Sequence, residues 1–90
     1  MGLPELLEKY PHMIPVIIHI TYENKILKKL INKHVRISEL TYMIGKGSNC
    51  YILYNNRLLT GSTRIIEAFG NPKEIPLISV YKENFFGNGL

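Results

Sequence analysis

The chain has 90 residues, of which 46% are hydrophobic and 20% charged, and a formal net charge of +4. That length fits one domain with a modest core, because so short a chain buries only about two-thirds of its unfolded surface. Dense aliphatic blocks exclude a disordered linker, and a single cysteine, Cys50, excludes an internal disulfide framework and suits a reducing compartment.

Pro4 to Lys9 predicts a short helix. Pro4 suits its first position, Glu5 and Glu8 suit the positive end of its dipole, and Pro11 ends it. Met13 to Tyr22 predicts a long strand rich in Ile and Val. Its run from Ile14 to Ile18 is nearly continuous, so part is expected to be buried on both faces. Pro15 lacks a ladder donor, which predicts an edge or a bulge there. Glu23-Asn24 reads as a turn, and Ile26 to Ile31 as a second strand, antiparallel because the connection is too short for a crossover.

Ile37, Leu40, Met43 and Ile44 follow helical spacing, with Gly45 and Gly47 placed for a C-cap. Cys50 to Tyr54 predicts a third strand, Asn55-Asn56 a tight hairpin turn, and Arg57-Leu58-Leu59 the short return strand. Ser62 or Thr63 is placed to cap a second short helix to Phe69, with Gly70 past its end. Ile75 to Tyr81 predicts the last strand. Residues 1–82 then form one α+β domain and 83–90 a flexible tail. The element order matches a β-grasp, although a split βαβ arrangement has a similar element count.

Reactive groups are sparse. His12, His19 and His34 are widely spaced, there is no Asp, and no second cysteine completes a metal-ligand pair. A strand cysteine such as Cys50 is far more often a small buried hydrophobe than a nucleophile. Gly45-Lys46-Gly47-Ser48 follows a helix, so it reads as a helix terminus and not as a phosphate loop. The expectation is a protein that is not an enzyme and needs no cofactor or metal. Lys25, Lys28, Lys29, Lys33, His34 and Arg36 concentrate positive charge. They suit an acidic peptide, an anionic lipid or a nucleic acid, or simply a strand edge whose lysines discourage aggregation. Clustered strand aromatics of an RNA-binding sheet are absent, so no nucleic acid is expected as a partner. The longest apolar run is far short of the ~20 residues of a membrane-spanning helix. No secretory signal is visible, and Leu6 stands where the myristoylation pattern takes Ser or Thr. A cytoplasmic location is expected.

The segment Lys9-Tyr10-Pro11-His12-Met13-Ile14-Pro15-Val16-Ile17 resembles one found in the autophagy-related ubiquitin-like modifiers, the family of GABARAP and the microtubule-associated light-chain proteins. Lys28-Lys29-Leu30-Ile31, Val35 to Leu40, Tyr51 to Asn56 and Tyr81 to Gly87 resemble further segments of that family in the same order. The resemblance implies a β-grasp ubiquitin-like fold with N-terminal helical additions. It also implies that a cysteine protease cuts between Gly87 and Asn88, removing residues 88–90. Activating and conjugating enzymes then join Gly87 to phosphatidylethanolamine on autophagosomal membranes. Phe85 and Phe86 would be gripped during processing, Gly87 passes narrow enzyme channels because it has no side chain, and the lipid's two acyl chains suffice for stable anchoring. The alternatives are attachment to a protein lysine, an unconjugated interaction domain, or a frayed terminus with incidental glycines.

The resemblance further implies peptide capture by strand addition. Leu6, Pro15, Ile17, Lys28 and Leu30 match an aromatic pocket, and Ile31, Val35, Leu40 and Met43 an aliphatic one. Lys28 and Lys29 would meet acidic residues of an aromatic-x-x-aliphatic motif in cargo receptors. The plainer reading is that these apolar residues are core. This chain begins near the family's second helix, carries a shorter loop over 45–49, and has Gly45, Asn32 and Pro76 where the family has a basic residue, a proline and an aromatic.

Overall fold

The chain folds as α1 (Leu3–Lys9), β1 (Met13–Ile20), β2 (Lys25–Asn32), α2 (Ile37–Gly45), β3 (Cys50–Tyr54), β4 (Arg57–Leu58), α3 (Ile65–Phe69) and β5 (Leu77–Lys82). The structure is a computed structural model and describes residues 2–47, 49–70 and 72–82. The five strands make one sheet in the order β2-β1-β5-β3-β4. β1 and β2 form an antiparallel hairpin, β5 runs parallel to β1, and β3 is antiparallel to both β5 and β4. A hairpin ahead of the central helix, with first and last strands as parallel neighbours, is the β-grasp arrangement and not the split βαβ one.

Strand alternation and helix periodicity converge on one core. Ile14, Val16, Ile18 and Ile20 of β1 face Ile37 and Leu40 of α2, with Ile31, Ile52, Ile65, Phe69, Ile78 and Val80 completing the buried cluster. Each such aliphatic side chain contributes roughly 1.5–3 kcal/mol on burial. Pro15 is also buried, between two buried neighbours, although its place in the strand puts it on the face away from α2. α1 packs against β1, so this part of β1 is covered on both faces as its composition predicts.

Pro15 lies in an interior strand, which differs from the predicted edge. The cost is nevertheless avoided. Ile17 N–H donates to Pro76 O at 2.9 Å, so residues of that parity point their nitrogens toward β5. Pairing with β5 begins only at Ile17. At Pro15 the missing donor faces a stretch with no β5 partner.

Several boundaries differ from the sequence expectation. β1 ends at Ile20, and Thr21–Glu23 forms a 3-10 turn closed by Asn24 in the left-handed conformation at φ 51°. Thr21 Oγ1 donates to Val80 O at 2.6 Å, which ties this turn to β5 and draws the chain out of the strand. Gly45 is a buried helix residue, not the C-cap; Lys46 takes the left-handed cap position at φ 53°, and Gly47 follows it at φ 93°, a positive φ of the kind the sequence expected of a glycine there. Neither Ser62 nor Thr63 caps α3. Arg64 is the N-cap, and its N–H is satisfied by Glu67 Oε1 at 3.0 Å. β5 starts at Leu77, two residues after the predicted start. Asn55 and Asn56 are both left-handed, as the tight hairpin requires.

Candidate functional site

Among the described residues β2 has one paired flank and one free flank, because it ends the sheet order. The Ile17 N–H bond to Pro76 decides the polarity of that free flank. Ile17 bonds toward β5, so its partner Lys28 receives no ladder bond from it. In an antiparallel ladder such a residue points its N–H and C=O outward. Ile26 and Leu30 share that parity. The free edge therefore offers the backbone groups of residues 26, 28 and 30 to an incoming strand.

Register sorts the β2 side chains onto two faces. Lys25, Leu27, Lys29 and Ile31 pair with Ile20, Ile18, Val16 and Ile14, the core-facing set. Between them and α2 runs a groove of about 560 Å³, lined by Leu27, Ile31, Val35, Leu40, Met43 and Ile44, with Lys25, Lys29, Lys46 and Glu23 also lining it. Leu40, only 2% exposed, is the floor, and Met43, 59% exposed, is the open wall. The four residues matched to an aliphatic pocket, Ile31, Val35, Leu40 and Met43, are thus brought together.

The other face carries the set matched to an aromatic pocket. Pro15 pairs with Leu30 and Ile17 with Lys28. Leu6 is half-buried on α1, the helix resting on β1. Leu30 is 38% exposed and also borders the groove, so an apolar surface reaches the solvent at the edge itself. Lys28 and Lys29 fall on opposite faces, which assigns one lysine to each side of the edge. Leu27, Ile44, Lys25 and Lys46 complete the groove although none of them was matched to a pocket from the sequence. Strand alternation from Lys29 and helical spacing from Leu40 were the available signals for the first three. Lys46 enters only through its left-handed turn.

Phe85, Phe86, Gly87 and Asn88, the processing and attachment residues, lie outside the described residues. Lys82 is the last described residue and pairs with Cys50. There Tyr22 Oη lies 3.6 Å from Cys50 Sγ, and Lys82 Nζ sits 4.8 Å from the Tyr22 ring. Burial first, then the Cys50 contact and the Glu23 charge, push the Tyr22 hydroxyl up to about 12. Cys50 is half-buried against the core, as a small apolar residue would be. The His12 and His34 rings lie 6.0 Å apart, while His19 belongs to β1. Among the described residues no three His, Cys, Asp or Glu side chains gather as metal ligands, and no helix is long and apolar enough to cross a membrane.

A second groove, of about 630 Å³, lies where the 72–76 loop meets β3 and β5, with Leu53, Pro72, Leu77 and Tyr81 in its lining. Each flanking strand has a neighbour on both sides, and only Leu77 and Ile78 of β5 lie beyond the β3 ladder, so this groove offers far less backbone than the eight-residue β2 edge and is the weaker candidate for peptide docking.

No protein-family model matches the chain, and no curated protein does. Solved structures do. A de novo designed protein based on ubiquitin is similar with a TM-score of 0.64 and 19% identity, covering 81% of this chain and 92% of that one. The ubiquitin-like domain of an Arabidopsis thaliana protein is similar with a TM-score of 0.61 and 17% identity, covering 80% of this chain and 79% of that one. The fold is therefore ubiquitin-like.

Proposed function

We propose that this ubiquitin-like domain is an autophagy modifier that captures short peptides at the β2 edge and is joined through Gly87 to phosphatidylethanolamine. The observation that carries the docking half is the geometry of β2. An eight-residue strand keeps one flank free, with an apolar groove on one face and the Pro15–Leu30 surface on the other. An extended aromatic-x-x-aliphatic segment adds its backbone to residues 26, 28 and 30 and sends alternate anchors to the two faces. Lys28 on one face and Lys25, Lys29 and Lys46 on the other favour acidic flanking residues.

Support for the conjugation half is the resemblance of Tyr81 to Gly87 and of the collinear segments before it. The domain is then a substrate and an adaptor, not an enzyme. It works from the cytoplasm and from the autophagosomal membrane once lipidated, with a processing protease, activating and conjugating enzymes and cargo receptors as partners. Intact mass of the cellular protein tests this. The expected species ends at Gly87 and carries phosphatidylethanolamine, and Gly87→Ala abolishes it. A species retaining residues 88–90 without lipid would overturn conjugation, and a Gly87 isopeptide on a protein lysine would replace the acceptor. Neither outcome touches the docking half.

A further inference from the structure

The β2 edge does not end in neutral surface. Beyond Asn32 the chain turns through Lys33, His34 and Val35 to Arg36, and Arg36 bridges Arg64 in an isolated antiparallel pair. Arg64 Nη1 donates to His34 O at 2.8 Å, which holds the guanidinium against the turn. Lys33 N–H donates to His12 O at 2.9 Å and His34 N–H to Asn32 Oδ1 at 2.9 Å, fixing the turn to both strands of the hairpin. The rings of His12 and His34 lie 6.0 Å apart on the same end. Lys33, Arg36 and Arg64 are thereby gathered at one pole with two imidazoles.

The carboxylates on the helices that start here are Glu39 and Glu67. Glu67 is occupied by the Arg64 N–H at 3.0 Å. Two arginines directly opposite one another repel, and the fold keeps them so. The groove reaches this pole without a break: Asn32 and Val35 line it, and Val35 stands between His34 and Arg36.

We infer that the docking groove continues onto this basic pole, and that its peptide partner carries acidic residues immediately beyond the aliphatic anchor. The inference rests on the docking reading. With the aromatic anchor beside Lys28 and Leu30 and the aliphatic anchor beside Ile31 and Val35, the peptide runs in the direction of β2. Its next residues overlie Asn32 and reach Arg36 and Arg64. A carboxylate beside this backbone pair offsets the like charges of Arg36 and Arg64 and accepts hydrogen bonds from Arg36 or from the Arg64 nitrogens not bound to His34 O. Acidic residues ahead of the aromatic anchor meet the lysines at the opposite end, so the two ends of the groove select charge independently.

The test uses two labelled peptides with one acidic-flanked Trp-x-x-Leu core, followed by three glutamates in one and three glutamines in the other. Anisotropy titrations are run on the wild-type chain and on Arg36→Gln and the R36Q/R64Q double variant. The glutamate peptide should bind about fivefold to tenfold tighter, the sum of a few solvated ion pairs. That advantage should shrink in Arg36→Gln, vanish in the double variant and fade at high salt. Equal binding of the two peptides to the wild type overturns this proposal while leaving the docking reading intact. Failure of both peptides to bind removes the docking reading and this proposal together. If vesicles containing phosphatidylserine lose binding in the double variant while the peptide preference persists, the pole belongs to a lipid surface and the proposal is overturned. Unchanged amide spectra away from the pole show that the variants fold, and Arg36 is the safer position because Arg64 also braces His34.

Discussion

The sheet has two outer strands, and they solve the same hazard in opposite ways. β4 is two residues long and ends the β3 side. It presents almost no backbone for another strand to pair with, although its Leu58 is 64% exposed. β2 is eight residues long and ends the other side. It keeps a full template but studs it with Lys25, Lys28 and Lys29, which discourage indiscriminate pairing and leave acidic segments welcome. Shortness closes an edge, whereas charge makes it selective. That contrast is the physical basis for placing a docking site at β2 and none at β4.

The contrast can be broken from the inside first. Ile52 of β3 is fully buried and Leu58 of its partner strand is exposed. Ile52→Ala should cost about 2–5 kcal/mol in denaturant unfolding, and Leu58→Ala should stay within about 0.5 kcal/mol. Next, neighbouring prolines separate the two flanks of β2. Lys29 shares the parity that bonds to β1, so Lys29→Pro should destabilise by about 2 kcal/mol or more through a lost ladder bond. Lys28 points its N–H outward, so Lys28→Pro should leave stability nearly unchanged while weakening strand-adding peptides about tenfold, near 1.4 kcal/mol. Comparable losses of stability from both prolines would refute the assigned polarity of the edge.

A subtler measurement concerns the hairpin's far end. Tyr22 holds its proton to about 12 when folded, against 10.0 for the free side chain. The folded form therefore binds more protons between those values, and stability falls as pH rises from 10 toward 12. Below pH 10 the contribution is fully present. Tyr22→Phe should flatten that part of the decline, read as the difference between the two proteins' unfolding curves across pH 9 to 12.

Much of the architecture was legible along the chain. Proline placement marked α1, uninterrupted Ile and Val marked β1, and helical spacing found α2. Asn55-Asn56 announced the hairpin because few other residues accept two successive left-handed conformations. The misplacements had local competitors. Thr21 left the strand for a hydrogen bond to Val80, and Glu67 reached back to Arg64 and displaced the hydroxyl cap expected at Ser62 or Thr63. Lys46 took the left-handed cap position expected of a glycine, and Gly47 took the positive φ just after it.

The candidate site divides in the same way. Its apolar members Ile17, Ile31, Leu40 and Met43 were named through the family resemblance, and helical spacing also marks Leu40 and Met43. Which flank of β2 is free was not readable, since strand order arises from β1 pairing with β5 far along the chain. The opposite facing of Lys28 and Lys29 follows from alternation alone, but which of them meets the groove required the register with Val16 and Ile17. The juxtaposition of Arg36 and Arg64 has no trace in local sequence at all. The sequence by itself determined which residues seek burial and where the chain turns, because those preferences act over a few bonds. Tertiary structure alone decided which strand stays open and which charges share a pole, because both depend on distant segments meeting across the sheet.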